Sequence, residues 1–345
     1  MLYIVIAFLW LAILFYLVLG GADFGAGILE IFTATTKKQD LRRTAYIAIG
    51  PIWEANHMWI IITVVIFFVG FPEIYSMISI SLHIPVLIML LGIIARGTAF
   101  TFRNYDPVND KMQALYSRIY VYSSFITPLF IGIIAATAVS GRIDPKAKGF
   151  LPTYIFNWLD WYPVSVGLFT VFLCGFLAAV FLIGEVSNMR SRRAYMGKAR
   201  LMNLGLIIFM LLSFQVAKAE NIPMFQWVFG STVSIAAVVI SFVAWIIMWS
   251  QIAKNNAKLT RLWAGIMVMT LLVSITYGHF PDVVLLKGGR SLSLLSGHAP
   301  EATINVLASA LMAGDLLIVP SLFYLIYSFS RKNKSMSAKT GRSYP

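Results

Sequence analysis

The sequence predicts an all-α polytopic membrane protein of about nine transmembrane helices. Three observations carry this. Apolar runs of membrane-spanning length recur from one end of the chain to the other. Hydrophobic residues make up 59% of the 345 residues and charged residues 12%, against about 25% charged in a soluble domain. The runs are continuous, without the polar–apolar alternation of a β-barrel.

Nine spans fall at 3–21, 46–70, 75–98, 118–139, 163–184, 201–217, 227–250, 260–277 and 303–328. They divide as four, four and one: a first four-helix bundle over 1–139, a second over 163–277, and a ninth helix over 303–328. Residues 329–345 form a basic tail, expected to be disordered. No connection is long enough for a soluble domain. Of the 27 Lys and Arg, 21 fall on one side of the membrane by this reading, in the loops after spans one, three, five and seven and in the tail. That bias places the N-terminus outside and the C-terminus in the cytoplasm. It also explains the net charge of +13 as topology and contact with anionic lipid headgroups, not nucleic-acid binding.

Span one lacks the positive n-region of a signal peptide and is too long for an h-region. It leads into "GGADFGAG", where Gly21 and Gly25, like Ala22 and Ala26, are four apart and suit close helix packing. Asp23 falls about 30 Å from the outer end of the span, near the cytoplasmic rim, where it is either a solvated carboxylate or a functional one.

Span two carries "GPIWEANHMWIII". Counted from Tyr46, Glu54 lies about 12 Å deep and His57 about 16 Å deep, on one helical face, with Asn56 pointing away. A charge at mid-membrane costs about 2.5–3.5 kcal/mol, so such groups face protein or water. Three readings stay open: a structural hydrogen-bonded pair, a proton route from Asp23 to Glu54 and His57, and haem ligation by His57 with His83 of span three. A di-iron site needs a second Glu-x-x-His, which is absent from the sequence, and no metal site is expected.

Span three closes in "ARGTAFTFR", where Arg96 and Arg103 read as topology and headgroup contacts. Trp158 and Trp161, before span five, read as interface anchors. Span five holds Cys174, the single cysteine, so there is neither an intrachain disulfide nor a Cys-based metal site. Basic loops follow spans one and five, with Glu30 and Glu185 near the corresponding helix ends, a faint sign of an internal repeat. Glu220 reads as solvated, as do His279 and His298 in an outer loop. Asp315, in the middle of span nine, lines a cavity or meets a partner.

The residues Gly50, Pro51, Trp53, Glu54, Asn56 and Trp59, then Phe71, Pro72 and Tyr75, then Arg96, Gly97, Ala99, Phe100, Phe102 and Arg103, together resemble the motifs of subunit II of the cytochrome bd quinol oxidases. Gly21, Asp23, Gly25 and Gly27 fit that family's element at the end of the first helix. The motifs cover residues 20–103. The second half is similar in length, hydropathy and helix count. Thr101 departs from the pattern, since a glutamate is common there, and this weakens any role for an acid at that helix end.

The resemblance implies a haem-free accessory subunit of a complex that oxidises quinol and reduces dioxygen to water. It implies no catalytic residue in this chain. Two haems b, one haem d and the quinol site would belong to a larger subunit I, and a small single-helix subunit is a further expected partner. Glu54 would take part in proton transfer from the cytoplasm, with Asp23 and His57 beside it. The competing functions are a proton-coupled secondary transporter and a cytochrome b with His57 and His83 as ligands.

Overall fold

A computed structural model describes residues 1–34, 37–50, 53–105, 110–186 and 189–340. Among them, nine helices are long and apolar enough to cross a membrane, in the expected order. Helix α1 (Leu2–Phe15) passes through a π-helical turn, Tyr16–Gly20, into α2 (Gly21–Ile31), so the first span reaches well past the expected residue 21. This buries Asp23 two turns before the helix end instead of leaving it at a rim.

The expected second span divides. A polar helix α3 (Lys38–Ile49) precedes α4 (Trp53–Gly70), which alone has the composition of a span. Helix α3 ends with Gly50 as its C-cap, which a proline follows in sequence, and proline disfavours helix in the residue before it. Pro51 itself lies outside the described residues. Glu54 therefore sits in the first turn of α4, not eight residues into a helix. The third expected span divides likewise into α5 (Pro72–Ser81), with proline at its start, and α6 (His83–Tyr105).

Helix α7 (Asp110–Val139) follows, then a short α8 (Phe150–Tyr154) and α9 (Trp161–Ile183), whose N-cap Asp160 accepts a 2.6 Å bond from the Trp161 amide. After α10 (Met189–Ala219) and α11 (Met224–Phe229), Ser231 caps α12 (Thr232–Ala253) and Asn256 caps α13 (Ala257–Tyr277). A hairpin of β1 (Asp282–Leu285) and β2 (Ser291–Ser293) pairs antiparallel, Val284 opposite Leu292. Gly288 and Gly289 make its turn, with φ of 91° and 81° that other residues rarely adopt. The last helix, α14 (Glu301–Thr340), continues into the basic tail that reads as disordered in sequence. Proline and glycine are absent between Ser321 and Thr340, and basic residues suit a helix C-terminus.

Helix α9 is the centre of the molecule. Its membrane window is 72% buried, far more than any other span, and it packs against α2, α7, α10 and α13. The small residues of α2 permit this. A methyl group on Gly25 would strike the Cys174 carbonyl of α9, and one on Gly27 would strike Ser124 of α7. Every residue from Gly21 to Glu30 is buried. At the far end, Arg142 bridges Asp160 and Glu220, so Glu220 is paired rather than solvated. Trp158 is buried there while Trp161 stays exposed, and only the latter has the surroundings of an interface anchor.

Candidate functional site: a buried Asp–Arg–His cluster

Asp23 of span one, His57 of span two and Arg96 of span three converge on one end of the bundle. Asp23 of α2 holds both carboxylate oxygens against Arg96 of α6. Arg96 Nη1 donates to Oδ2 at 2.6 Å and Nη2 to Oδ1 at 2.7 Å. The same Nη2 reaches the Asp23 backbone carbonyl at 2.8 Å and the Tyr120 hydroxyl at 3.2 Å, and Nε donates to Ser124 at 3.0 Å. The guanidinium also lies 5.0 Å from the Phe24 ring centroid and 4.9 Å from that of Tyr120. Both charged side chains are fully buried. This forked geometry is the one in which an ion pair survives away from water, since both carboxylate oxygens and all three guanidinium nitrogens are hydrogen-bonded.

Arg96 is thus a buried anchor, not a headgroup contact. Arg103 repeats the pattern two turns further along α6. It donates to Glu30 at 3.0 Å and lies over the Tyr120 ring at 4.0 Å. Glu30 also accepts from Arg42 of α3 at 2.7 Å, which ties the polar helix to the bundle.

His57 approaches this cluster from α4. Its Nε2 is 3.7 Å from Asp23 Oδ2, beyond hydrogen-bonding range, and neither ring nitrogen has a hydrogen-bond partner among the described residues. The rings of Phe24, Tyr16 and Trp53 surround it, with centroids 5.7, 6.2 and 6.4 Å away. The Tyr16 hydroxyl is likewise buried without a partner.

The face assignment on α4 differs from expectation. Its buried stripe runs through Asn56, Trp59, Thr63, Ile66 and Gly70, so Asn56 points inward. Glu54 heads the opposite stripe, with Ile61, Val65 and Phe68, and is exposed. Residues three apart on a helix differ by about 60° in direction. His57 falls on the inner side of that arc and Glu54 on the outer side. Trp53 packs on Phe100 at 5.2 Å, and Trp59 on Phe15 at 4.6 Å. Gly50 donates its amide to the Tyr46 carbonyl at 2.8 Å and ends α3.

His83 does not join the site. It opens α6 at the opposite end of the bundle, exposed, with its ring 4.7 Å from Tyr154 and Nδ1 3.2 Å from the Ile80 carbonyl. Thirteen residues of helix separate it from Arg96, about 20 Å. One haem iron cannot take His57 and His83 as its two axial ligands across that distance, which removes the self-sufficient cytochrome b reading. His279 is also less open than expected. It is half-buried, with its ring 5.4 Å from Trp227 and Nδ1 2.6 Å from the Asp282 carbonyl. Burial holds its imidazole below the ordinary value.

Sequence reasoning missed Tyr120 and Ser124, the α7 partners of Arg96. It also missed a signal it contained. Asp23 and Glu30 are seven apart, and so are Arg96 and Arg103, as two rungs between parallel helices require.

The comparisons with known proteins agree with this geometry. The family model for cytochrome bd terminal oxidase subunit II matches residues 1–329. The chain is 23% identical over 331 residues to cytochrome bd ubiquinol oxidase subunit 2 of Bacillus subtilis, covering 94% of this chain and 95% of that one. It is 22% identical over 202 residues to cytochrome bd-I ubiquinol oxidase subunit 2 of Escherichia coli, covering 55% and 52% of the two chains. Its fold matches a chain of the bd oxidase from Geobacillus thermodenitrificans with a TM-score of 0.76 at 22% identity, over 95% of this chain and 98% of the other. The transporter reading is displaced by these matches, and the protein is a multi-pass bacterial membrane protein. A family model spanning nearly the whole chain shows that this chain belongs to the cytochrome bd terminal oxidase subunit II family.

Proposed function

We propose that this chain is the haem-free accessory subunit of a quinol-oxidising, dioxygen-reducing complex, and that it supports assembly and delivers protons from the cytoplasm. Two haems b, one haem d and the quinol site are assigned to the larger partner. The cytoplasmic side is the end carrying Glu30, Arg42 and Arg103, in keeping with the positive-inside bias.

The observation that carries the proton role is the arrangement of Glu54, His57 and Asp23. Glu54 is a carboxylate at the foot of α4, open to its surroundings. One turn away, His57 has both nitrogens free of hydrogen bonds among the described residues. A fixed negative charge lies 3.7 Å from that ring. Glu54 takes up the proton and His57 exchanges it. Asp23, with both oxygens occupied by Arg96, is held in place beside His57 and does not carry the proton itself. The Asp23–Arg96 and Glu30–Arg103 pairs supply the assembly role by locking α2 to α6.

The partner and haem assignments are tested by tagging this chain, purifying it gently from native membranes and recording a reduced-minus-oxidised spectrum. Haem b and haem d bands with a larger co-purifying subunit are expected. After the two chains are separated, the haem should remain with the larger one. Haem retained by this chain, or a chain that purifies alone, would contradict the reading.

A further inference from the structure

A second arginine is buried outside the Asp23 cluster. Lys198 of α10 donates to Thr33, just past α2, which sets the start of α10 at the end of the bundle that carries Glu30. Arg192, in the first turn of α10, is 8% exposed. Its Nη2 donates to the Ile252 carbonyl near the end of α12 at 2.5 Å, and its Nε is buried with no hydrogen-bond partner among the described residues. Capping of α12 accounts for the first of these and leaves the second open. Arginine has donors only, so a buried Nε is satisfied by an acceptor that comes to it. Glu185 is the only acid in α9, α10, α12, α13 and the α9–α10 and α12–α13 connections, and Arg261 holds it.

Arg192 lines a cleft with Gly184, Ile252, Asn255, Ala257 and Thr260. The enclosed part of the cleft is about 10 Å³, room for one oxygen-sized group, and the remainder opens to the surface. One wall is the start of α13, a helix of 21 residues. First-turn amides have no acceptor within their helix and carry the positive end of its dipole. Asn256 accepts from one of them, Leu259, at 3.3 Å, and leaves those of Ala257 and Lys258 for another acceptor. Lys254 and Lys258 flank this start, both exposed. Arg261, one turn further along, donates to the Phe181 carbonyl at 3.0 Å, while its own Nε is also buried without a partner among the described residues. Gly184 lets the end of α9 lie against the start of α13, since a methyl group there would be 2.7 Å from the Ala257 Cβ.

We propose that this cleft binds a phosphate group, with one phosphate oxygen seated within reach of Arg192 and the first-turn amides of α13. A buried arginine with an open donor and a helix N-terminus are two independent features that call for the same anionic acceptor. The enclosed space admits one oxygen, so the rest of the group stays in the open part of the cleft, against Lys254 and Lys258. An anionic phospholipid headgroup and free phosphate offer the same oxygens. The site lies apart from Glu54, His57 and Asp23, and it does not depend on the function proposed above.

The test uses the protein as purified from native membranes with whatever chains accompany it, stripped of lipid in a neutral detergent. Phosphatidylglycerol is added back and its occupancy read by native mass spectrometry. Sodium phosphate is titrated separately against the unfolding midpoint, with sodium chloride at equal ionic strength as the reference. Wild type should bind one phosphate-bearing molecule more tightly than Arg192→Gln by roughly tenfold or more, the range for hydrogen bonds to a charged group. Lys258→Glu keeps the fold, because an acid suits a helix N-terminus, and should weaken binding as well. It decides the matter if Arg192→Gln does not fold. Lys148→Glu, the same charge change in an exposed loop at the other end of the bundle, should leave binding unchanged. Site-dependent binding of phosphatidylglycerol alone identifies a lipid headgroup as the source, and site-dependent binding of both probes identifies free phosphate as a ligand too. Equal binding by wild type and Lys258→Glu, or equal losses in Lys258→Glu and Lys148→Glu, would overturn the proposal.

Discussion

Arg96 grips Asp23 through two parallel hydrogen bonds of 2.6 and 2.7 Å, in a site where both side chains are fully buried. Removing one partner would strand the other charge without water. Arg96→Ala or Asp23→Ala should therefore destabilise the protein by about 3–5 kcal/mol. Arg96→Lys should rescue little, because a point charge cannot reproduce the fork. The yield of folded chain and its unfolding midpoint in detergent measure this. Wild-type stability in Arg96→Ala would show that the pair holds nothing together.

The second rung should be weaker when one side is lost. Glu30 keeps Arg42 when Arg103 is removed. Arg103→Gln should cost about 1–3 kcal/mol, below Arg96→Ala. Glu30→Gln leaves two arginines facing one neutral amide and should cost more than Arg103→Gln. Unfolding midpoints of the three variants, compared side by side, check the ranking.

The α2–α9 interface allows no side chain at Gly25, since its Cβ would meet the Cys174 carbonyl and the Ala178 methyl. Gly25→Val should separate the two central helices and cost 3 kcal/mol or more, roughly the upper end for overpacking. Gly197, which has open space around it, is the control, and Gly197→Ala should be near neutral. Equal midpoints for the two variants would contradict the packing described.

The hairpin end should loosen in acid. Burial lowers the His279 pKa from an ordinary value of 6.5, so below that value the unfolded loop takes up a proton more readily than the folded one. The His279 contribution to stability is complete above about pH 6.5 and declines as pH falls through the ordinary value toward the lowered one. Hydrogen exchange of residues 279–294 should quicken between pH 7.5 and 5, after correction for intrinsic rates. His279→Gln should flatten that dependence, and an unchanged profile in the variant would assign it elsewhere.

Much of the fold was legible in the sequence because hydrophobic span length is a strong signal, and all nine spans lie where apolar runs occur. The span boundaries moved where helices break or continue inside runs that hydropathy reads as one: α3 ends at Ile49 and α4 begins at Trp53, α5 ends at Ser81 and α6 begins at His83, and Glu54 and His83 changed depth as a result. The motif residues were identifiable, but their pairing was not. Arg96 looks like a rim arginine in a one-dimensional reading, because its partner lies 73 residues away. The matched seven-residue spacing of the two acids and two arginines was the available clue. Tyr120 and Ser124 carry no local mark of their role, which arises only when α7 packs beside α6.

The most direct test of proton delivery through Glu54 is quinol-driven oxygen consumption by the purified complex carrying Glu54→Gln, with haem content measured in the same sample. Glutamine keeps the size and hydrogen bonding of the side chain but cannot carry a proton. Turnover reduced by roughly tenfold or more, at unchanged haem content and subunit ratio, is the expected result. Wild-type turnover in that variant would contradict it and remove Glu54 from the route.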